Sequence, residues 1–339
     1  MITSEEELDL ALSAPSSALI ARMAETDGDI MVLGIGGKIG PTLGMTAVRA
    51  IRETDRPKQV YGVSRFSEPG LEERLSSSGI VTLNCDLLNE AAVRELPKVP
   101  NIIFMAGRKF GTIGAEDLTW AMNALVPAHV ARSFPDSRIV VFSTGCVYPL
   151  VSPEGGGSSE SDVAAPVGEY GWSCLARERM FSFYSRIAGT KVCLFRLNYA
   201  VDLRYGVLYD IAERIWSGRP VSLSVPYVNV IWQGDVNNQA LLALDLCASP
   251  PDILNVTGSE ILSVRELARM LAERFGKPVE FDEAGGTSAL LSDSTRAISL
   301  FGQPSVSVMQ MVDWTADWVM RGGRSLGKPT HFEVSDGRF

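Results

Sequence analysis

Residues 29–40 read DIMVLGIGGKIG, and this stretch decides the fold. A short apolar run, typical of a buried strand, leads into glycines spaced G-x-x-G-x-x-G, and a helical pattern follows from Pro41. Glycines at this spacing permit a tight turn and a close approach of the backbone to a ligand, and the N-terminus of the next helix stabilises a pyrophosphate. We expect a dinucleotide-binding turn, the alternative being a glycine-rich turn with a structural role only. The residues assigned to this turn are Gly34, Gly37, Lys38, Ile39 and Gly40.

Beyond the turn, apolar runs alternate with amphipathic segments. The runs read QVYGVS, IVTLNCD, NIIFMAG and RIVVFST, each the length of one strand. This alternation predicts an α/β fold of the Rossmann type, with a doubly wound parallel sheet covered by helices on both faces. The less regular pattern after residue 200 indicates a smaller C-terminal α/β lobe. The expected division is a helical extension at 1–28, a dinucleotide-binding domain at 29–200, a mainly substrate-binding lobe at 201–330 interleaved with that domain, and a tail at 331–339.

The composition excludes several classes of protein. With 339 residues, 46% of them hydrophobic, and a net charge of -9, the chain can form a core but has no basic field to attract nucleic acid. Its apolar runs are far shorter than the roughly 20 residues of a membrane span, and its start, MITSEEELDLALS, carries acids where a secretory signal carries positive charge. We therefore expect a cytoplasmic protein that binds neither nucleic acid nor membrane. Two histidines and five scattered cysteines predict no metal site and no disulfide framework.

The end of the second strand is where a fold of this type discriminates between the two nicotinamide dinucleotides. An acid there hydrogen-bonds the ribose of NAD and repels the 2′-phosphate of NADP. Here Ser64 and Arg65 stand at that place, and a hydroxyl with a guanidinium suits a phosphate. We expect NADP or NAD as the cofactor, with NADP slightly favoured. The alternative for Arg65 is a solvated surface charge stacked on adenine.

Several more motifs follow the glycine turn in a fixed order between residues 29 and 320. They read CDL at 85–87, MAGRKFG at 105–111, FSTGCVYP at 142–149, EYGWSCLARE at 169–178, WQGDV at 232–236, LNVTGSEILSVRELA at 254–268 and DSTRAISLFG at 293–302. In this order they resemble the motifs of the extended short-chain dehydrogenase/reductase family, the NAD-dependent epimerase/dehydratase group that includes UDP-galactose 4-epimerase. The resemblance implies the same fold and a nicotinamide dinucleotide as hydride carrier.

The resemblance also implies a role for individual residues. It places a catalytic hydroxyl at Thr144 and the catalytic tyrosine at Tyr170. Structural alternatives are a helix cap for Asp86, backbone hydrogen bonding for Asn123 and an ordinary helix-face aromatic for Tyr170. The cofactor-binding positions that the resemblance implies are Asp86, Leu87, Ala106, Gly107, Lys109 and Asn123.

The chain departs from the family at the position of the catalytic lysine. The family's Tyr-x-x-x-Lys reads Tyr170-Gly-Trp-Ser-Cys174, and residues four apart share one helix face. In the family this lysine lies beside the tyrosine and the nicotinamide ribose and lowers the pKa of the phenol, which a thiol cannot do. Either another cation such as Lys109 partly compensates, or turnover is slow or absent.

A second departure concerns the substrate. Relatives that act on nucleotide-diphosphate sugars usually carry an arginine shortly before a V-D-D motif and another in an R-P-G-D segment. Here those regions read VPYVNVIWQGD and FDEAGGTSALLSD, with no arginine in either. The guanidinium of arginine is suited to binding a diphosphate through two parallel hydrogen bonds. Because both arginines are missing, we expect the substrate to be a smaller polyol, sugar or sugar acid rather than a nucleotide sugar. Arg204 or Arg196 would bind its anionic group, the alternative for both being packing and surface charge.

Two functions are consistent with these patterns. The first is an NAD(P)-dependent oxidoreductase or epimerase acting by hydride transfer on a small polyhydroxylated substrate, with Tyr170 as acid/base. The alternative is a catalytically impaired dinucleotide-binding sensor or partner protein. We also expect a homodimer built from the helices near 115–132 and 170–188. The alternative is a monomer in which the apolar residues of the second helix form one wide buried stripe. The apolar residues that motivate the dimer are Leu175, Phe181, Phe183 and Tyr184.

Overall fold

The computed structural model describes residues 1–109, 111–282, 285–328 and 330–337. Its strands are β1 (Ile30–Leu33), β2 (Val60–Ser64), β3 (Val81–Asn84), β4 (Asn101–Phe104), β5 (Arg138–Thr144), β6 (Lys191–Leu197), β7 (Ala200–Val201), β8 (Val221–Ser222), β9 (Tyr227–Val228), β10 (Ile231–Trp232), β11 (Asp252–Val256), β12 (Leu262–Ser263) and β13 (Phe281–Asp282). Its α-helices are α1 (Glu5–Leu12), α2 (Ser17–Glu25), α3 (Gly40–Arg52), α4 (Leu71–Ser78), α5 (Glu90–Glu95), α6 (Glu116–Trp120), α7 (Val126–Ser133), α8 (Gly168–Ala188), α9 (Val207–Trp216), α10 (Gln233–Leu242), α11 (Val264–Phe275), α12 (Thr295–Phe301) and α13 (Val308–Met320).

Seven of these strands form one parallel sheet in the order β11-β6-β5-β4-β1-β2-β3. The chain runs outward from β1 to β3 and then returns to β4 on the opposite side of β1. This reversal opens a crevice at the carboxyl ends of β1 and β4, where ligands bind in open α/β sheets. The predicted doubly wound parallel sheet is therefore confirmed.

Both faces of the sheet are buried beneath helices. Along β1, Ile30 and Val32 face a core shared with α2, α3 and α10, whereas Met31 and Leu33 face a core shared with α5, α7 and α8. Successive side chains of a strand point to opposite faces of the sheet, and both faces are buried here, which explains why β1 is apolar at every position. The central strand is thereby held rigidly beneath the glycine turn that follows it.

The C-terminal helices α9, α11 and α13 enclose a second core, and both chain ends contribute to it. Leu8 and Leu12 of α1 are fully buried there, and Phe332 is 2% exposed in the same core. The sequence predicted a tail from residue 331, but the described part of that segment packs against the lobe because Phe332 supplies an apolar anchor.

The helix α8 buries more of its apolar residues than the dimer prediction assumed. Leu175 and Phe181 are 5% and 0% exposed, and the Phe181 ring packs edge-on against Phe104 with centroids 5.2 Å apart. Counting these two as a surface excess was wrong, since they fill the chain's own core. Phe183 is 43% exposed, and Tyr184 packs beside it. Within the described residues, no helix is long and apolar enough to cross a membrane.

Candidate functional site

A cavity of about 990 Å³ opens at the carboxyl ends of β1, β4 and β5. Its volume lies at the upper end of the range for small-molecule and cofactor sites. The glycine turn after β1, the loop after β4, the start of α8 and residues near both chain ends form its wall. The lining residues on which the site depends are Gly34, Gly37, Lys38, Gly107, Lys109, Tyr170, Arg177, Arg204 and Lys328.

The three glycines of the turn meet different requirements. Gly34 has a left-handed φ of +89°, and a Cβ there would lie 2.6 Å from the main-chain nitrogen of Ala106. A Cβ at Gly40 would overlap the Ile35 carbonyl. At Gly37, however, a Cβ would meet nothing nearer than the Gly34 oxygen at 3.5 Å, and its φ is not left-handed. The protein's own packing therefore does not require glycine at 37, and the space above it is a cradle open to the cavity.

The helix after the turn offers its N-terminus to the same cavity. Helix α3 begins at Gly40, and the preceding Ile39 makes no side-chain cap among the described residues. Its first N–H groups therefore remain suited to an anion, and Pro41 in the first turn has no N–H to satisfy. The cradle at Gly37 together with this helix end fits the pyrophosphate of a dinucleotide.

The four residues predicted to bind the adenosine half lie outside the described lining of the cavity. The Ser64 hydroxyl lies beneath the turn, 2.5 Å from where a Cβ on Gly36 would stand, and Arg65 is exposed. Asp86 is exposed and accepts a hydrogen bond from the Leu88 main chain at 3.0 Å, while Leu87 is buried in the sheet core. None of the four predicted residues is among the described lining residues, which at this end are Ser67, Glu68 and Arg74.

The two residues predicted to act on the substrate come from adjoining segments. Thr144 is the last residue of β5. Its hydroxyl accepts a hydrogen bond from the Cys146 main-chain N–H at 3.1 Å and thereby caps the short 3-10 turn that follows. Gly171 lets α8 approach this turn, because a Cβ there would lie 2.7 Å from the Cys146 oxygen. The approach brings Tyr170, at the start of α8, into the cavity wall beside the end of β5.

The position of the family's lysine carries no charge here. Cys174 is fully buried, and burial raises the pKa of its thiol to about 11. Burial also raises the pKa of Tyr170 well above its ordinary value, and the neighbouring Cys174 and Cys146 add to this rise. The Tyr170 phenol and the Cys174 thiol are close enough to shift each other's pKa. At neutral pH both groups therefore keep their protons.

Lysines approach the cavity from three separate segments. The Lys109 ammonium lies 5.7 Å from the centre of the Tyr170 ring, and the Lys38 ammonium lies 3.4 Å above the ring of Tyr205. Burial, followed by the charges of Lys109 and Lys328, lowers the pKa of Lys38 to about 7. Burial lowers the pKa of Lys109 as well. The cations thus share a partly dry space with the tyrosine.

A buried arginine that the sequence reasoning did not single out stands behind the loop after β4. Arg177 donates to the Phe142 main-chain oxygen and to the Asn123 side-chain oxygen, each at 2.7 Å. Asn123 lies in a π-helical segment and also holds both main-chain polar groups of Arg108. Gly107 leaves room for the guanidinium, since a Cβ there would overlap Arg177. The predicted residues Gly107 and Asn123 are therefore both in contact with Arg177.

The two arginines predicted to bind a substrate anion are paired within the protein. Arg196 binds the carboxylate of Glu178 at 2.7 and 2.9 Å, and both side chains are about 5% exposed or less. The assignment of Arg196 was therefore wrong. Arg204 does line the cavity, but its guanidinium binds Asp202 at 2.8 and 3.1 Å and Asp9 at 3.0 Å. Its donors are committed to these acids.

Residues near both chain ends also reach the cavity, and the sequence reasoning missed them. Asp9 comes from α1, and the C-terminal segment contributes Arg324, Leu326 and Lys328. The Leu326 main chain donates to the Arg204 oxygen at 3.0 Å, which ties this segment to the site. The sequence feature that marks the C-terminal segment is the basic, glycine-rich run RGGRSLGK at 321–328. Nothing in this run indicates that it packs beside a cavity formed by residues far away in sequence.

Comparisons with known proteins agree with this architecture. Residues 30–201 match the sequence model of the NAD dependent epimerase/dehydratase family, which is about half of the chain. None of the curated proteins searched by sequence matches the chain. Similar solved structures include the UDP-glucose 4-epimerase of Thermotoga maritima with UDP-glucose (18% identity, 87% of this chain and 99% of that chain covered, TM-score 0.71) and MoeE5 in complex with UDP-glucose and NAD (20%, 87% and 99%, 0.70). Another is the UDP-glucose 4-epimerase of Thermus thermophilus with NAD (22%, 85% and 98%, 0.70). The chain therefore belongs to the NAD-dependent epimerase/dehydratase family, a family of NAD-dependent enzymes with a Rossmann fold.

Proposed function

We propose that this protein is an NAD(P)-dependent oxidoreductase or epimerase that acts on a small polyhydroxylated substrate, with Tyr170 as its acid/base residue. The observation that carries the proposal is that Tyr170 and the glycine turn line one cavity. Residues 29–200 would then bind mainly the dinucleotide, and residues 201–330 mainly the substrate.

Each residue has a defined task in this proposal. When bound, the nicotinamide supplies a hydride acceptor or donor. Tyr170 takes the proton from a substrate hydroxyl during oxidation and returns it during reduction, while Thr144 hydrogen-bonds the same oxygen. Because burial raises the pKa of Tyr170, the phenol keeps its proton at neutral pH, and oxidation is slow there.

The substitution Tyr170→Phe tests this assignment. In a panel of sugars, sugar acids and polyols with NAD and NADP, the variant should lose most of the wild-type turnover, while calorimetry should find its dinucleotide affinity unchanged. Tyr184→Phe, on the same helix but packed away from the cavity, is the matched control. Wild-type turnover by Tyr170→Phe would refute the assignment.

Similar solved structures hold UDP-glucose, which runs against the expectation of a smaller substrate, yet for this chain we propose a substrate without a nucleotide. Residues 225–235 and 281–293, where the family's arginines are missing, contribute none of the described residues that line the cavity, and residues 283–284 lie outside the described part of the chain. The second segment instead pairs with the loop after β5, Val151 with Ala289 and Ser158 with Ser292. A dinucleotide should therefore stabilise the protein in a thermal-shift assay, and UDP-, GDP- and dTDP-sugars should not. A shift of several degrees with any of these sugars would contradict this part of the proposal.

The charge of the cavity favours a sugar acid over a neutral sugar. The chain as a whole carries a net charge of -9, yet most of the charged residues that line the cavity are cations. Burial and, after it, repulsion by Lys109 and Lys328 lower the pKa of Lys38, and a carboxylate among these cations would offset the repulsion. The charged lining residues are Lys38, Arg74, Arg108, Lys109, Arg177, Arg204, Arg324 and Lys328, against Asp9 and Glu68.

For the cofactor, we propose that NADP binds at least as tightly as NAD. The support is the absence of an acid at the end of β2, where Ser64 and the exposed Arg65 stand. In calorimetric titrations, Arg65→Ala should weaken NADP binding and spare NAD binding. A clear NAD preference in the wild type that Arg65→Ala leaves unchanged would refute the preference.

A second candidate function is a dinucleotide-binding sensor or partner protein with impaired catalysis. The observation that favours it is Cys174, whose neutral thiol replaces the family's lysine. This candidate predicts tight dinucleotide binding with no exchange of hydride across the whole substrate panel. Turnover that depends on Tyr170 would exclude it.

We further propose a homodimer through the outer faces of α6, α7 and α8. Apolar side chains remain exposed on α6, on α8 and on the segment that joins α6 to α7, and these elements pack against one another. Phe183→Lys should shift the mass measured by light scattering toward the monomer, and Leu300→Lys, equally exposed on α12, should not. A monomeric wild type at micromolar concentration would contradict the dimer. The exposed residues are Leu118 (37%), Trp120 (38%), Leu125 (49%), Trp172 (45%), Phe183 (43%) and Ile187 (60%).

A further inference from the structure

Arg177 is a buried cation to which the described residues supply no acidic partner. The residue is 5% exposed, and among the described residues no ion pair joins it to a carboxylate. Its Nε also has no hydrogen-bond partner in that part of the chain. Arginine is seldom buried unless it is paired, because an uncompensated charge in a dry environment costs several kcal/mol. Such a residue is therefore a candidate for a functional role.

Its place on α8 relates it to the missing lysine. Tyr170, Cys174 and Arg177 are four and then three residues apart, a spacing that puts all three on one helix face. Helical side chains lean toward the N-terminus, so a long side chain at 177 extends back toward positions 174 and 170. Arg177 and Tyr170 accordingly line the same cavity. Burial raises the pKa of both Tyr170 and Cys174, and the positive charge of Arg177 opposes the rise at both.

The surroundings fix the guanidinium at this place. Phe142 at the end of β5 and Asn123 in the π-helical segment each accept one of its hydrogen bonds at 2.7 Å. Gly107 leaves the space into which the guanidinium fits, at the wall of the cavity. A structural arginine would need only a carboxylate, as Arg196 finds in Glu178. Arg177 is instead held by neutral acceptors, which do not neutralise its charge at the wall of the cavity.

We infer that Arg177 is a positioning residue that supplies the fixed positive charge which the family's lysine would supply from position 174. The inference rests on the proposed function, in which a nicotinamide lies beside Tyr170. There a fixed cation disfavours the positively charged oxidised nicotinamide relative to the neutral reduced one. It also favours the phenolate form of Tyr170.

The ratio of the dissociation constants of NAD⁺ and NADH tests this inference without any substrate. Fluorescence titrations should find that Arg177→Met lowers the ratio at least about tenfold, a change equivalent to about 1.4 kcal/mol. Arg177→Lys, which keeps the charge, and the double variant Arg177→Met/Cys174→Lys, which moves it, should stay within about threefold of the wild type. Arg179→Met is the matched control, since Arg179 is exposed on the same helix.

Several outcomes would overturn the inference. If Arg177→Met weakens both dinucleotides equally, Arg177 has a structural role, and if it leaves both affinities unchanged, its charge does not act at the nicotinamide. If Arg177→Met does not fold, Cys174→Lys decides, because a second cation should raise the ratio, and an unchanged ratio would refute the inference. Failure of the proposed function gives a different result, namely that the wild type binds neither dinucleotide.

Discussion

Substitution of Gly37, the middle glycine of the turn, should weaken dinucleotide binding without lowering the stability of the fold. A Cβ at Gly37 meets no atom nearer than 3.5 Å, and its φ is not left-handed. Gly37→Ala should therefore leave the free energy of unfolding unchanged or raise it by about 0.4–1 kcal/mol, because alanine has less freedom in the unfolded chain. Gly40→Ala should lower it by about 1–3 kcal/mol, because its Cβ overlaps the Ile35 carbonyl and the helix must shift.

The effect of Gly37→Ala on binding should be large. The added methyl group occupies the cradle and moves the pyrophosphate off the main-chain N–H groups, each of which contributes about 1.5–3 kcal/mol to a charged partner. Losing two such bonds costs about 3 kcal/mol or more, a weakening of roughly two orders of magnitude. Urea denaturation and calorimetric titration with NAD and NADP measure the two effects. Gly155→Ala is the control, since a Cβ there meets nothing within 4 Å. Wild-type affinity in Gly37→Ala, or a loss of stability like that of Gly40→Ala, would refute the reasoning.

Three further predictions follow from buried charges. Because burial holds the pKa of Tyr170 high, the phenolate fraction grows about tenfold per pH unit, so oxidation should accelerate from about pH 7 to pH 9, and a flat pH-rate profile would contradict this. Lys38, with its pKa lowered to about 7, is a cation below that pH and neutral above it. Galacturonate should therefore bind the dinucleotide-loaded protein more weakly as the pH rises through about 7. Calorimetry should find a smaller pH dependence of galacturonate binding in Lys38→Met. Glu178→Gln leaves the Arg196 guanidinium buried without its carboxylate and should lower the free energy of unfolding by about 3–5 kcal/mol in urea denaturation; a loss below about 1 kcal/mol would count against it.

The sheet and the turn were predictable because their signals are local. The run at 29–40 contains a strand, its glycine turn and the start of a helix, and each part depends mainly on its neighbours in sequence. The approach of α8 to the turn after β5 was predictable only through the resemblance to the family. It depends on the contact of Gly171 with the Cys146 carbonyl, and no local pattern records that contact.

The remaining wall of the cavity was not predictable, because long-range packing decides it. Lys328 comes close to Lys38 across nearly the whole chain, and Asp9 reaches the cavity from the first helix. Arg204 failed as an anion partner for the same reason, since its carboxylate neighbours are Asp202 and the distant Asp9. A sequence reveals that such residues are charged, but only the fold decides which charges cancel.

Cys174 and Arg177, one helical turn apart on α8, explain each other. A lysine at 174 would place a second cation one helical turn from Arg177, in a region where Cys174 is fully buried. Two unit charges about 4 Å apart repel by about 4 kcal/mol at an effective dielectric constant of about 20, so the two cations are costly together. One cation is enough to act on Tyr170, and Asn123 and Gly107 already accommodate it at 177. A neutral thiol at 174 is therefore the residue that a site built around Arg177 favours, and the loss of the lysine does not by itself indicate the loss of catalysis.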